Sequence, residues 1–270
     1  MKKLLLLIML FTFTVLSGCG KTNEFLEEGY LVVATSPDYA PYEFIDSSKT
    51  GIDKFVGADI ELMKYIAEEL DLELKIEEMD FDACLTAIQG RKVDIAISGF
   101  SWTPKRAENY ELSDSYFDEG DGNQKVLIKA IDVDKFKSLD DLNKIEVKVA
   151  AQTGSIQDEL VDTQLGNATK QNLDNLDMAL SLLLEGKVDA VAISEHAGDI
   201  RIENNSQLAF LGENFDVPTI GNVVVAKKGN ASLIEKINEI IVEVKANGLY
   251  DQWMTEAKAY ANAIGEDIGE

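Results

Sequence analysis

Residues 90–106 carry the sequence GRKVDIAISGFSWTPKR, which indicates a strand, a loop and the start of a helix in that order. A β-branched apolar run follows the turn signal Gly90, as expected for a buried strand. Thr103 and Pro104 then match the N-cap and the first position of a helix. The segment therefore predicts one strand-to-helix unit of an α/β fold.

The loop of this unit carries groups that suit an anionic ligand. Ser98, Gly99 and Ser101 follow the predicted strand, and Arg106 follows within the first helical turn. Ligands of open α/β sheets lie beyond the carboxyl ends of the strands, so we expect these residues to face one site. An arginine can hold a carboxylate by two parallel hydrogen bonds. The alternative is that Arg106 is solvated on an exposed helix and that the serines only complete the loop.

The first half of this segment has a second copy. Residues 84–98 and 180–194 both contain an apolar helix end, a glycine, a basic residue, Val-Asp, a buried strand and a terminal serine. Gly90 and Gly186 are expected to end their helices, and strands that are apolar on both faces are typical of parallel sheets. The repeat predicts two similar lobes across a cleft, with the terminal serines on opposite walls. The alternative is that many helix-to-strand connections share this pattern.

The amino end has the pattern of a secretory signal. Lys2 and Lys3 precede an apolar run that is too short to span a bilayer, and Leu16-Ser17-Gly18-Cys19 follows. The pattern resembles a bacterial lipoprotein signal, in which the cysteine carries lipid such as palmitate and becomes the first residue of the mature protein. We expect residues 1–18 to be the signal peptide and residues 19–29 a lipidated tether. The alternative is an ordinary signal peptide that contains a cysteine.

Length and charge narrow the classes of protein. The chain has 270 residues, 46% of them hydrophobic, which is enough for two lobes of ordinary size. The formal net charge is −24, and it becomes two units more negative when the lysines of the signal are removed. Such a surface repels nucleic acid and anionic lipid. Cys84 would be the remaining thiol, which excludes an internal disulfide and suggests a buried apolar role.

The second predicted lobe offers a turn at a helix start. Gln152-Thr153-Gly154-Ser155 follows a predicted strand, and a helix is expected from Ile156. The backbone N–H groups at such a helix start attract anions, so this turn is expected to face Arg106. The alternative is that Ser155 only caps the helix together with Asp158.

The order of the predicted elements places two crossings between the lobes. Residues 30–118 and 223–270 are assigned to the first lobe, and residues 119–222 to the second. Residues 125–128 are interpreted as extended chain leaving the first lobe, and residues 221–227 as a strand that returns to it. Two crossing segments, near 118–124 and near 219–224, would form a hinge that lets the lobes close on a ligand.

Taken together, these motifs resemble the extracellular solute-binding proteins of amino acid ABC transporters, which are bacterial solute-binding proteins of family 3. The resemblance covers nearly the whole chain after the signal and implies the two-lobed type II periplasmic-binding-protein fold, an α/β fold with two crossover hinge segments. The motifs that carry it are Asp38–Tyr42, Gly57–Glu61, Asp80–Asp82, Gly90–Ser98, Thr103–Arg106, Leu112–Tyr116, Gln152–Ser155 and Val188–Ala190.

The resemblance also implies roles for individual residues. It implies that Arg106 clamps the ligand carboxylate, with help from Ser101 and from the Gly154-Ser155 turn. It further implies that Ser98 and Gly99 accept hydrogen bonds from the α-ammonium group. Aromatic residues at Tyr39 and Phe81 would enclose the ligand side chain.

One position departs from the family pattern. An acidic residue usually follows the second lobe's Val-Asp strand and pairs with the α-ammonium group, and here that position is Ser194. Glu195 is next in the chain and could turn into the site, an acid elsewhere could substitute, or the ligand could lack a free α-ammonium. Ile156 stands where the family often has a hydroxyl, which also favours a ligand without a free α-ammonium. Ser36 stands where binders of basic amino acids tend to have an acid, which disfavours lysine and arginine as ligands.

These observations predict a lipid-anchored receptor on the extracellular face of the cytoplasmic membrane. It would be a monomer that closes on a small amino acid or related carboxylate and delivers it to the membrane subunits of an ABC permease. No cofactor, metal or catalytic activity is expected. Two other classes remain open: a dehydratase-like enzyme on the same fold, which would have to use the single histidine His196, and a ligand-sensing module without transport.

Overall fold

A computed structural model gives the fold of residues 25–118, 124–217 and 221–265. The predicted signal peptide, the lipidation site Cys19 and part of the tether lie outside the described residues. So do residues 119–123 and 218–220, which belong to the two predicted crossing segments.

The described strands are, in chain order, β1 (Tyr30–Thr35), β2 (Asp38–Tyr39), β3 (Glu43–Ile45), β4 (Phe55–Val56), β5 (Glu73–Glu78), β6 (Ile95–Ala96), β7 (Tyr110–Leu112), β8 (Gln124–Lys129), β9 (Lys148–Gln152), β10 (Thr169–Leu173), β11 (Ala190–Ser194), β12 (Leu208–Phe210) and β13 (Val225–Lys227). The α-helices are α1 (Ala58–Glu69), α2 (Phe81–Gln89), α3 (Pro104–Asn109), α4 (Leu139–Leu142), α5 (Ile156–Gln164), α6 (Leu176–Leu184), α7 (Glu195–Asn204), α8 (Ala231–Ala246) and α9 (Leu249–Ile264). Short 3-10 turns cover Gly51–Lys54 and Ala130–Asp132.

The first lobe is built on a sheet with the strand order β5-β1-β6-β13-β7. β1 is parallel to β5 and β6, and β13 is antiparallel to β6 and β7. Leu31 and Val33 face a core shared with α1, α8 and α9, whereas Val32 and Ala34 face α2. This alternation follows from the two-residue period of a strand. The predicted return of the chain near residues 221–227 is confirmed by β13, although β6 is shorter than the apolar run around it suggested.

The second lobe is built on a sheet with the order β10-β9-β11-β8-β12. β9, β10 and β11 are parallel, while β8 runs antiparallel between β11 and β12. Residues 125–128, interpreted as extended chain leaving the first lobe, form the middle of β8 within the second lobe's sheet. Their apolar side chains are buried in the second lobe's cores, a partnership that local sequence does not encode.

The repeat predicted from the sequence is present in the structure. α2 and α6 end in the same backbone motif, in which Lys92 N–H donates to Ala87 O at 2.9 Å and Lys187 N–H donates to Leu182 O at 2.8 Å. The left-handed residue of the motif is Gly186 in one copy, with φ of 71°, but Arg91 in the other, with φ of 53°. The role expected for Gly90 is thus taken one residue later by Arg91, whose backbone adopts a conformation that glycine favours.

The lobes also contact each other away from the cleft. α9 of the first lobe packs on α7 of the second, and Ile200 shares an apolar cluster with Phe44, Ala257 and Ala261. Lys258 forms ion pairs with two carboxylates of α7. These contacts fix the lobes at one side, and the carboxyl ends of β1, β6, β9 and β11 face each other at the other.

Candidate functional site

A small cavity lies between the lobes at these strand ends. Its volume is about 20 Å³, which is room for little more than one water molecule. It is lined by Tyr39, Phe81, Ser98, Gly99, Ser101, Arg106, Gln124, Gln152, Ser155, Ile156, Gln157 and Ser194. A larger ligand can enter only if the lobes separate or if the side chains at the centre rotate.

The sequence-predicted residues gather at this cavity with two exceptions. The lining contains Tyr39, Phe81, Ser98, Gly99, Ser101, Arg106, Ser155 and Ser194. Gly154 is not part of the lining, but its carbonyl oxygen accepts a hydrogen bond from Arg106. Glu195 lies outside the cavity, where its carboxylate pairs with Lys125 Nζ at 2.9 Å and is 42% exposed. Neither carboxylate oxygen of Glu195 is therefore placed to contact a ligand in this arrangement of the lobes.

Arg106 is a buried cation at one end of the cavity. Thr103 Oγ1 accepts from Arg106 N–H at 3.1 Å and so caps α3, as the sequence predicted. The guanidinium donates to Ser101 O and, across the cleft, to Gly154 O at 2.9 Å. Its carbon atom lies 5.8 Å and 5.4 Å from the ring centres of Phe81 and Phe100.

The charge of Arg106 is not neutralised by an ion pair within the described residues. Burial lowers the pKa of Arg106 to about 10, because the cation has left water, and the field of Glu159 offsets only part of this. The guanidinium still carries its charge at neutral pH. A buried guanidinium whose hydrogen bonds go to carbonyl oxygens is well suited to bind an anion.

The start of α5 faces Arg106 from the second lobe. Ser155 Oγ accepts from Asp158 N–H at 3.1 Å, and Asp158 Oδ2 accepts from Gly154 N–H at 3.1 Å, which is the predicted capping arrangement. Gly154 has φ of 76°, and a Cβ there would lie 3.4 Å from Asp82 Cβ of the first lobe. The positive φ of the turn therefore favours glycine, whereas a Cβ at this position would make only an ordinary contact with Asp82.

Two aromatic walls flank the centre of the cavity. Tyr39 stacks on Tyr42 with ring centres 5.5 Å apart, and Phe81 packs on Phe100 at 4.5 Å. The Tyr39 hydroxyl accepts from Ser194 N–H of the second lobe at 3.1 Å. Tyr39 therefore contributes an apolar face to the cavity and a polar link between the lobes.

Three glutamines at the cavity were not predicted as site residues. Gln157 Nε2 donates to Gln124 Oε1 at 2.6 Å and to the Tyr39 hydroxyl at 3.3 Å, and these groups fill the centre. Gln152 and Gln157 flank the predicted Gly154-Ser155 turn, so their place in the chain was a usable signal. Gln124 had no such signal, because it reaches the site through the antiparallel strand β8.

Asp38 connects the two lobes beside the cavity. Its Oδ2 accepts from Leu176 N–H at the start of α6 (2.7 Å) and from Gln152 Nε2 (2.9 Å), both in the second lobe. Its backbone oxygen accepts from the fully buried Arg201 at 3.0 Å. Burial raises the pKa of Asp38 to about 6, and the hydrogen bond from Leu176 partly offsets this rise. These contacts exist only while the lobes are together.

The remaining reactive side chains lie elsewhere. His196 packs against the rings of Tyr42 and Phe117, and burial lowers the pKa of its imidazole. Cys84 is buried in α2, and burial raises the pKa of its thiol. Within the described parts of the chain, no cluster of His, Cys, Asp and Glu is suited to hold a metal ion. In the same residues, no helix has the length and apolar character that a membrane crossing requires.

Comparison with family models gives a match over most of the chain. Residues 31–256 match the model described as bacterial extracellular solute-binding proteins, family 3. The match spans both sheets and every residue that lines the cavity.

Individual relatives are also similar over nearly their full length. The arginine-binding extracellular protein ArtP of Bacillus subtilis is 29% identical over 96% of this chain and 100% of its own. The crystal structure of AbpA, an amino acid ABC transporter substrate-binding protein of Streptococcus pneumoniae bound to L-arginine, has a TM-score of 0.80 and 34% identity, and covers 88% of this chain and 97% of that one. An ancestral amino acid-binding protein described as a precursor of cyclohexadienyl dehydratase has a TM-score of 0.75 and 28% identity, with coverage of 84% and 95%.

Proposed function

The chain belongs to the bacterial extracellular solute-binding proteins of family 3, and from that premise we propose that it is an amino acid receptor of an ABC transporter. In this proposal the lobes close on one amino acid at the cavity, and the closed protein delivers it to the membrane permease. Nine of the ten residues predicted from the sequence are its ligand-binding residues, and Glu195 is the exception.

The observation that carries the proposal is the unpaired charge of Arg106. A buried guanidinium without an acidic partner is costly, and a ligand carboxylate would remove that cost by accepting two hydrogen bonds. The N–H groups at the start of α5 lie on the opposite wall and favour the same anion. The carboxylate would then replace Gly154 O as the acceptor of Arg106, so that binding rearranges the contacts between the lobes.

The rest of the cavity favours a polar side chain on the ligand. Gln124, Gln152 and Gln157 provide amide donors and acceptors, and Tyr39 and Phe81 provide flat apolar faces. ArtP and AbpA, by their names, bind arginine, which makes L-arginine the first ligand to test. The uncharged Ser36 argues against a basic ligand, although its hydroxyl donates to Asp38 at 2.9 Å and so lies beside a carboxylate.

A receptor fits the cavity better than an enzyme of the dehydratase type. General acid–base catalysis needs a titratable group within hydrogen-bond reach of the reacting atoms. The lining residues of the described chain include the Tyr39 hydroxyl but no carboxyl and no imidazole. His196, the candidate base, lies beneath Tyr42 and Phe117.

The proposal includes a lipid anchor at Cys19, supported by the Leu16-Ser17-Gly18-Cys19 sequence after an apolar run. The test is expression of the full chain with labelled palmitate in a bacterial host. Label and membrane association are expected for the native chain and lost for Cys19→Ala. Equal membrane association of both chains would contradict the anchor without touching the ligand site.

Ligand binding is tested on the chain from residue 20 onward, freed of bound ligand by partial unfolding. A thermal-shift screen covers the amino acids, L-cystine and small organic acids, with calorimetry on the molecules that raise the melting temperature. A selective shift by one amino acid supports the proposal. A shift by carboxylates that lack an amine, and by no amino acid, would move the function to another class of solute.

A further inference from the structure

Two carboxyl groups are buried directly behind the first-lobe wall of the cavity. Glu43 lies in β3 with 1% exposure, and Asp59 lies at the start of α1 with 0%. Neither lines the cavity, and neither was predicted to bind the ligand.

Each of these carboxyl groups contacts one residue of the cavity wall. Ser98 Oγ donates to Glu43 Oε1 at 2.8 Å and accepts from Ser36 N–H at 3.0 Å. Gly99 N–H donates to Asp59 Oδ2 at 2.7 Å. The pair is therefore linked by single hydrogen bonds to the two residues that face the ligand space.

The pair can hold at most one negative charge. Burial and mutual repulsion raise the pKa of Glu43 well above its usual range, and burial also raises that of Asp59. Two neighbouring carboxyls in a dry site do not both ionise. Asp59 also accepts from Tyr250 at 2.5 Å and Tyr116 at 3.0 Å, so it has more donors than Glu43 to stabilise a negative charge.

The hydrogen bonds turn acceptor atoms toward the ligand. Because a trans peptide is planar, the Ser98 carbonyl points opposite to the Gly99 N–H group and hence away from Asp59. A negative charge on Asp59 polarises this peptide and strengthens the carbonyl as an acceptor. The Ser98 hydroxyl donates a hydrogen bond to Glu43 and accepts one from Ser36 N–H, which leaves its second lone pair for a donor from the cavity.

Among the residues that the structure describes, the second-lobe wall offers no comparable charge. Ser194 Oγ accepts from Ala197 N–H at 3.4 Å as the N-cap of α7, and Ser194 N–H donates to Tyr39. Glu195 is held outside by Lys125. The charge of Asp38 is already met by donors from the second lobe, chief among them Leu176 N–H at the start of α6.

We propose that the buried pair Glu43 and Asp59, acting through Ser98 and Gly99, supplies the counter-charge for the ammonium group of the ligand. The first lobe thus performs the task for which the second lobe has only a serine. This inference rests on the proposed function, since it requires a ligand with a free α-ammonium group.

The test compares each ligand with its des-amino analogue in calorimetric titrations. The probes are the amino acid with the largest thermal shift, beginning with L-arginine, and the same molecule without its α-amino group, which for arginine is δ-guanidinovalerate. The variants are Glu43→Gln, Asp59→Asn and the double variant. Asp94→Asn is the matched control, because Asp94 is a buried carboxyl of the same lobe that accepts backbone N–H groups of Leu26 and Val32 far from the cavity.

The native protein should prefer the amine-bearing ligand, and the double variant should lose about tenfold or more of that preference. Each single variant should lose less, because the remaining carboxyl can still carry the charge. The Asp94→Asn control should keep the preference of the native chain. If the double variant does not fold, Ser98→Ala decides, since it keeps both carboxyls but removes one link and should lose part of the preference.

Two outcomes contradict the inference. An unchanged preference in the double variant, or in Ser98→Ala where the double variant does not fold, would show that the counter-charge lies elsewhere. If Glu195→Gln loses the preference while the double variant keeps it, the counter-charge lies in the second lobe. Both leave the proposed function standing, whereas a native chain that binds no amino acid removes the proposed function and this inference together.

Discussion

Replacing Arg106 by methionine should separate ligand binding from folding stability. Methionine has a similar length and fills the space beside the packed rings of Phe81 and Phe100 without a charge. The lowering of the Arg106 pKa to about 10 corresponds to about 3 kcal/mol of lost solvation in the unliganded protein. The substitution removes that cost, but it also removes the hydrogen bonds to Ser101 O and Gly154 O, worth about 1 kcal/mol each.

The net expectation for Arg106→Met is a free energy of unfolding within about 1 kcal/mol of the native value, or slightly higher. Ligand affinity should nevertheless fall at least about thirtyfold, since a desolvated charge pair contributes about 2–5 kcal/mol. The same loss of affinity is expected for Arg106→Ala, but there a cavity would lower stability as well. Stability and affinity should therefore respond differently to the methionine.

Arg201→Met is the matched control, because Arg201 is also buried but has an acidic partner inside the protein. It donates to Asp38 O and forms an ion pair with Asp177 at 3.2 Å. Breaking these contacts should lower the free energy of unfolding by about 2–3 kcal/mol, less than for a fully buried pair because Asp177 is 41% exposed.

Urea denaturation of unliganded protein measures stability, and calorimetry with the amino acid selected by thermal shift measures affinity. If Arg106→Met destabilises the protein as much as Arg201→Met does, Arg106 is a structural residue and the charge argument fails. Unchanged affinity would show that the carboxylate binds elsewhere.

Three further predictions follow from particular residues. The pKa of Asp38 is about 6 in the closed lobes against 3.8 for an exposed carboxyl, so closure takes up a proton. The stabilisation of the closed lobes by this proton is complete below pH 4 and is lost as the pH rises through 6. Ligand binding should therefore be roughly tenfold tighter at pH 5 than at pH 7. Calorimetry across this range checks it, and a pH profile that Asp38→Asn leaves unaltered would assign it to another group. Arg91→Gly should raise the free energy of unfolding by up to about 1 kcal/mol, because φ of 53° disfavours a side chain; a lower urea midpoint would contradict this. Gly57→Ala should cost more than about 3 kcal/mol, since a Cβ would lie 2.1 Å from Tyr42 O at φ of 130°; a soluble variant with native melting temperature would refute it.

Local sequence was a reliable guide to the strand-to-helix units and their caps. Thr103 and Ser155 cap their helices as predicted, because a cap depends on residues within one turn. The shared pattern around Val93 and Val188 identified two related units, since the same short-range backbone motif ends both helices. The one-residue shift to Arg91 escaped detection because a left-handed backbone conformation is expected of glycine and not of arginine.

The sequence was a poor guide wherever two distant segments share an environment. The partner of β8 could not be predicted, because its apolar alternation fits either sheet. Gln124 was missed as a site residue for the same reason, since it is the first residue of β8. Only the structure brings Tyr250, Gly99 and Glu43 around Asp59.

The sequence by itself thus determined the family, the two-lobed α/β architecture and most of the positions that meet at the cleft, because these depend on periodicity, turns and the ends of strands. The tertiary structure alone decided which charges are paired. It turns Glu195 outward to Lys125, ties Asp38 to the second lobe, and leaves Arg106 with carbonyl oxygens. Charge pairing depends on distances of a few ångströms between residues that are far apart in the chain, and no local pattern records those distances.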